Sequence, residues 1–106
     1  KKIVENAVTF EAWANNELVG MIAAYLNDKN NHTGFITNVS ILNEFAGKGI
    51  ASSLLTSCVA FAKEKSFKEI VLEVNAASLP AIKLYTKHHF KEIATQGDAK
   101  KMRLNL

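Results

Sequence analysis

A single cysteine in 106 residues excludes an internal disulfide, and with it the stapled scaffolds of small secreted domains. Cys58 falls among the apolar positions of a predicted helix and has no His or Asp partner at a recognisable local spacing, so it reads as a structural thiol in a reducing, cytoplasmic setting. No apolar run reaches the about 18 residues that a membrane helix requires, and no signal peptide is recognisable ahead of the first predicted strand. Charge of one sign is not concentrated either. The 13 Lys and Arg and 10 Asp and Glu are scattered, with Lys100, Lys101 and Arg103 as the one basic cluster. That pattern argues against a nucleic-acid partner, while the net charge of +3 can steer an anionic ligand. His88 and His89 stand at a helix end with no third ligand, which leaves no metal site. Repeats, linkers and low-complexity segments are absent, and the length suits one domain, residues 1–106.

What is present is a regular succession of hydrophobic periods. Val8 to Trp13 alternates, Asn15-Asn16 turns, and Leu18 to Leu26 returns as a hairpin strand. The polar run Asn27 to Asn31 turns the chain into a third strand, about His32 to Leu42. A helix from about Gly49 to Lys65 carries Ile50, Leu54, Cys58 and Phe61 on one stripe, widened by Ala51, Leu55 and Ala62. Glu69 to Asn75 is a strand whose Ile70-Val71-Leu72 core is apolar on both faces, as in a central parallel strand. Ser78 is placed to cap a second helix with Pro80 in its first turn and Leu79, Ile82 and Tyr85 on one face. Phe90 to Thr95, a turn at Gln96-Gly97-Asp98, and the alternating Met102 to Leu106 close the chain as a hairpin. The order βββ-α-β-α-ββ predicts an α+β domain (mixed α/β) built as three layers on a mixed central sheet.

The segment from Asn38 to Ala51 runs from strand through Gly47-Lys48-Gly49 straight into the first helix. Glycines let the main chain approach a ligand closely, and unpaired amides at a helix start attract anions, so a phosphorylated cofactor is expected there. The P-loop spacing fails, because Leu42 stands where its first glycine belongs and Gly49 where its Ser or Thr belongs. A dinucleotide fingerprint begins at Gly47-Lys48-Gly49, but its third small position falls on Ser52 and no acidic residue closes the next strand in the usual βαβ context, so a nicotinamide reading stays open only as an alternative.

Ala46-Gly47-Lys48-Gly49-Ile50-Ala51 resembles the acetyl-CoA loop of the GNAT acetyltransferases, [QR]-x-x-G-x-[GA], with Gly49 and Ala51 at its small positions. Downstream, Val74-Asn75, Ser78, Ala81, Leu84-Tyr85 and Phe90 resemble the V-N-x-x-N-x-x-A-x-x-L-Y-x-x-x-G-F block of the same family. The two motifs stand in the right order, and the resemblance covers roughly residues 8 to 106. The chain departs from the pattern at three positions: Ala46 lacks the usual Arg or Gln, Ser78 replaces an asparagine, and His89 replaces a glycine where a left-handed backbone is common. Family members usually begin with a strand and two helices that build the acceptor pocket, whereas about seven residues precede the first strand here. The resemblance therefore implies an amino-terminally shortened copy or, alternatively, a free-standing minimal enzyme.

The resemblance further implies direct transfer of acetyl from acetyl-CoA to a primary amine of a small molecule or protein. The pantetheine arm would lie between the third strand and the strand ending at Asn75, against the backbone of Val39 and Ile41. The amides from Gly47 to Ser52, covering Lys48, Gly49, Ile50 and Ala51, would hold the diphosphate, with Ala46, Asn75, Ser78, Ala81 and Tyr85 completing the cofactor site. A backbone amide near Val39 or Ser40 would polarise the carbonyl. Tyr85 matches the family tyrosine near the sulfur, the general acid for the departing thiolate; from spacing alone it is equally a core residue of an amphipathic helix. For the base, Glu11, Glu73 and His32 are candidates through water, and each also reads as solvated or structural. A CoA-binding module without catalysis is the alternative function, an interaction domain with an ordinary glycine turn is a third, and a homodimer is compatible with either enzyme reading.

Overall fold

The computed structural model describes residues 7–26 and 32–106. The turn expected over Asn27 to Asn31 lies outside the described residues. Six strands form one sheet in the order β1-β2-β3-β4-β6-β5: β1 (Ala7–Ala14), β2 (Glu17–Tyr25), β3 (Thr33–Ile41), β4 (Glu69–Asn75), β5 (Lys91–Gln96) and β6 (Ala99–Asn105). Helix α1 (Ile50–Glu64) joins β3 to its parallel neighbour β4, and α2 (Leu79–Lys87) joins β4 to β5. All other neighbouring strands are antiparallel, so the expected order and mixed sheet are those observed.

Both crossovers carry the chain in the same direction along the sheet, and right-handed connections of that kind place both helices on one face. A single core cluster accordingly joins Leu54, Leu55 and Cys58 of α1 and Tyr85 of α2 to Ile22, Ile70, Leu72 and Met102 of the sheet. The three-layer expectation therefore becomes two layers among the described residues. Ile70, Val71 and Leu72 are all buried, as the doubly apolar run requires. On α1 the buried stripe is Leu54, Leu55, Cys58 and Ala62, while Phe61 sits at its margin, edge-on to Phe10 with ring centroids 5.7 Å apart.

Helix α2 departs from its expected face at its first residue. Leu79 is 66 % exposed, because the first helical position turns it outward; the inward stripe is Ala81, Ile82, Leu84 and Tyr85. Ser78 occupies the N-cap position but its side chain makes no capping hydrogen bond, a correction to the expected cap. Past α2, His89 adopts φ +75°, the left-handed conformation that a helix-ending glycine usually supplies. This turn delivers Phe90, 2 % exposed, into the core against Tyr85.

The decisive irregularity is in β3. Its register against β2 shifts between Ala23 and Ala24, leaving Thr37 as an extra residue between Ile36 and Asn38. A bulge bends its strand and increases local twist, and pairing of β3 with β4 stops there: it runs from Thr33↔Glu69 to Ile36↔Leu72 and no further. Beyond that point the two strands part.

Burial of Cys58 pushes its thiol from the ordinary 9.0 up to about 11, and burial raises the Tyr85 phenol as well. The unfolded chain then loses these protons at lower pH than the folded one, so stability is retained below about pH 9 and falls as pH rises towards 11. Urea titrations should show the Cys58 share of this loss as about 1 kcal/mol at pH 10, absent in Cys58→Ala; equal slopes for both proteins would contradict it.

Candidate functional site

Where β3 and β4 part, backbone groups are left without a strand partner. The Leu42 N–H donates to the Val19 carbonyl at 2.9 Å, which marks that opposed pair as hydrogen-bonded. Such pairs alternate along an antiparallel ladder. With Ser40 opposite Met21, Ile41 opposite Gly20 and Val39 opposite Ile22, Ser40 faces β2, while the N–H and C=O of Val39 and Ile41 point into the gap. On the far side, β4 stays paired with β6 along its whole length, which holds it in the sheet while its edge facing the gap has no β3 partner beyond Leu72.

Beyond β3, a 3₁₀ turn (Asn43–Phe45) leads to two glycines in the left-handed region, Gly47 at φ +77° and Gly49 at φ +82°. A Cβ at either position would meet nothing within 4 Å, so conformation rather than crowding within the chain demands glycine there. Gly49 is the N-cap of α1 and no side chain caps that end. The first helical bond runs from Ser53 N–H to the Gly49 carbonyl, 3.0 Å, so the amides of Ile50, Ala51 and Ser52 precede the helical ladder with the positive end of the helix dipole behind them.

The gap and the loop open on one cavity of about 460 Å³. Val39, Ile41, Ala46, Gly47, Gly49, Ile50, Ala51 and Ser52 line it from one side, and Ala81 and Tyr85 from the other. Lys48, Asn75 and Ser78 do not line it. The Asn75 side chain instead accepts the Ala77 N–H at 2.8 Å, closing the turn that launches α2. Phe45, Pro80, Leu84 and Lys87 also line the cavity, outside the expected set of cofactor residues. The helical period gives Pro80, Leu84 and Lys87 the same side as Ala81, which was the signal available; Phe45 arrives through the 3₁₀ turn, which has no periodic signature. Lys87 brings a cation to a wall that Ala46 leaves uncharged.

Tyr85 is 6 % exposed, and burial raises its phenol, keeping it protonated at neutral pH. Its hydroxyl has no hydrogen-bond partner among the described residues, yet no side-chain oxygen or nitrogen there is sealed off without one. The phenol oxygen therefore retains access to the cavity it lines. None of the three base candidates lines this cavity. Glu11 accepts hydrogen bonds from Thr9 and from the Trp13 indole on exposed surface, Glu73 borders shallow depressions beside β6, and His32 precedes β3 with its carbonyl bonded to Lys68 N–H at 2.7 Å. Among the described residues no three His, Cys, Asp or Glu converge as metal ligands.

The sequence profile of the acetyltransferase (GNAT) family matches residues 2–90. The chain belongs to that family. An N-alpha-acetyltransferase of Saccharolobus solfataricus is 38 % identical over 61 residues, 57 % of this chain and 36 % of the relative. Streptothricin acetyltransferase A of Bacillus subtilis is 27 % identical over 88 residues, 81 % of this chain and 49 % of the relative. The chain thus spans between a third and a half of these two curated relatives. Among solved structures, the PaiA N-acetyltransferase of Thermoplasma acidophilum in complex with coenzyme A superimposes with a TM-score of 0.87 at 22 % identity, over 95 % of this chain and 62 % of that one. A GNAT acetyltransferase of Elizabethkingia anophelis with acetyl-CoA bound gives 0.83 at 22 % identity, over 99 % and 80 %. These likenesses establish the GNAT fold, with the parted strands and glycine loop as its characteristic features here.

Proposed function

We propose that this chain transfers acetyl from acetyl-CoA to a primary amine of a small molecule or protein by direct attack. The observation that carries the reading is the continuity of one cavity from the free strand edge at Val39 and Ile41, through the left-handed Gly47 and Gly49, to the uncapped start of α1. That donor set fits a long ligand with amides at one end and a diphosphate at the other. Acetyl-CoA, when bound, supplies an acyl group activated as a thioester.

Val39 and Ile41 hold the ligand's amide arm as a strand would, and the amides of Ile50, Ala51 and Ser52 hold the diphosphate, with Lys87 adding charge. The Val39 amide, free on the gap side, is placed to polarise a carbonyl gaining negative charge. Tyr85 gives its proton towards the departing sulfur, a task for which burial keeps the phenol charged with that proton. With Glu11, Glu73 and His32 outside the cavity, the amine loses its proton to water. The lone buried Cys58 supports a reducing, cytoplasmic setting.

Calorimetric titration with acetyl-CoA, NADH and ATP tests the first half: selective acetyl-CoA binding is expected. Restoring the missing side chain as Ala46→Arg should tighten acetyl-CoA binding by about fivefold to tenfold through a charge-assisted contact. Thiol release dependent on added amine, across peptide amino termini and small amines, tests the second half. Absence of acetyl-CoA binding by the wild type overturns the reading, and binding without turnover on any amine would favour the non-catalytic module.

A further inference from the structure

One side-chain contact joins the two helices beside the cavity: Ser52 Oγ and His88 Nε2 lie 2.7 Å apart and partly buried. Ser52 is in the first turn of α1 and lines the cavity, whereas His88 follows α2 and borders a separate groove with Thr56, Val59 and Lys63. His88 is firmly held. Its own amide reaches the Leu84 and Tyr85 carbonyls at 3.2 and 3.1 Å, and the next two amides close on Thr86 and Tyr85 at 3.0 Å, with Phe90 anchored in the core just beyond.

A serine hydroxyl has one proton to donate, and a phosphate offers only acceptors. If Ser52 gives that proton to the imidazole, it turns a bare lone pair towards an anion. If the imidazole instead donates its Nε2–H to Ser52 Oγ, the hydroxyl proton is released for the ligand. Partial burial, with Lys87 and His89 alongside, lowers the His88 pKa and favours the neutral ring, which has a single N–H to place on one nitrogen or the other.

We propose that His88 is a positioning residue for phosphate binding: it donates Nε2–H to Ser52 Oγ and thereby aims the Ser52 hydroxyl proton at a phosphate oxygen of the cofactor. This rests on the acetyl-CoA reading above. The contact does not follow from the glycine loop or from Tyr85, and it makes a residue outside the cavity set the polarity of one inside it.

The test is calorimetric titration of the wild type, Ser52→Ala, His88→Ala, the double variant and His88→Gln with CoA and, in parallel, with the phosphate-poor analogue S-acetylpantetheine, each protein first checked as folded by thermal unfolding. Each alanine variant should bind CoA about fivefold more weakly, the double variant no more weakly than Ser52→Ala, and His88→Gln, whose amide N–H reaches Ser52, should return to within about twofold of wild type. Binding of S-acetylpantetheine should be the same throughout. If His88→Ala binds CoA as the wild type does, if the two alanine effects add, or if both ligands weaken together, His88 is merely a clip between helices and the proposal is overturned while acetyl-CoA binding stands. If the wild type itself binds no CoA, the cofactor reading falls and takes this one with it.

Discussion

Tyr85→Phe should lower amine-dependent turnover by about 100-fold while leaving acetyl-CoA affinity within about threefold, the division expected when a proton donor is lost and the binding surface is kept. The substitution removes one oxygen of a residue that lines the cavity, and the ring keeps its packing against Phe90 at a centroid distance of 5.8 Å. Thermal stability should therefore change little. The pH profile supplies an independent check. Burial raises the wild-type phenol above its ordinary 10.0, so the donor remains protonated across the neutral range; an acid-side fall belongs to protonation of the amine, and loss of the phenol proton should lower the rate on the alkaline side. Tyr85→Phe should lack this alkaline limb. An unchanged turnover rate in Tyr85→Phe returns Tyr85 to the role of a core residue.

Gly49→Val should weaken acetyl-CoA binding by about 100-fold. A β-branched residue at φ +82° is a true outlier, with strain on the order of 1–3 kcal/mol. The loop can relieve that strain only by rotating peptide planes at the start of α1, which are the planes that aim the Ile50, Ala51 and Ser52 amides. Gly97→Val is the appropriate comparison, since Gly97 also has positive φ, +57°, with open space around its Cα, but lies in the β5–β6 turn outside the cavity. Both variants should lose similar stability in urea titration; only Gly49→Val should lose the ligand. Equal effects on affinity would mean that the loop matters for folding alone.

The parts of this fold that were legible in the sequence are those coded by local period. Ile70-Val71-Leu72 announces a central strand because three consecutive apolar residues need cover on both faces, and Gly47-Lys48-Gly49 announces a left-handed loop because few other residues tolerate it. Leu79 misled because a period cannot tell whether the first residue of a helix is already turned inward. Ser78 was expected to cap from its chemistry, yet its side chain makes no cap; Asn75, expected at the site by resemblance, has its side-chain oxygen on the turn at Ala77. The bulge at Thr37 has no sequence signature, since it exists only in the mismatch between two strands. Ser52 and His88 are 36 residues apart, and nothing local relates them; their meeting follows from both helices lying on one face. Lys87 was reachable from helical spacing, three residues after Leu84 and seven after Pro80, but its charge blends with the other lysines of the chain.

The parting of β3 and β4 also bears on how long the protein lasts. Strand groups that a bound small molecule can pair in place of water couple the folded state to that molecule, so the ligand acts as a removable piece of the sheet. At a free ligand level of about 100 times Kd this coupling adds about 2.7 kcal/mol to the resistance to unfolding. For a chain of 106 residues that is a sizeable fraction of the whole. Free and acetylated coenzyme A share the arm and the diphosphate that make these contacts, so both should protect the fold alike.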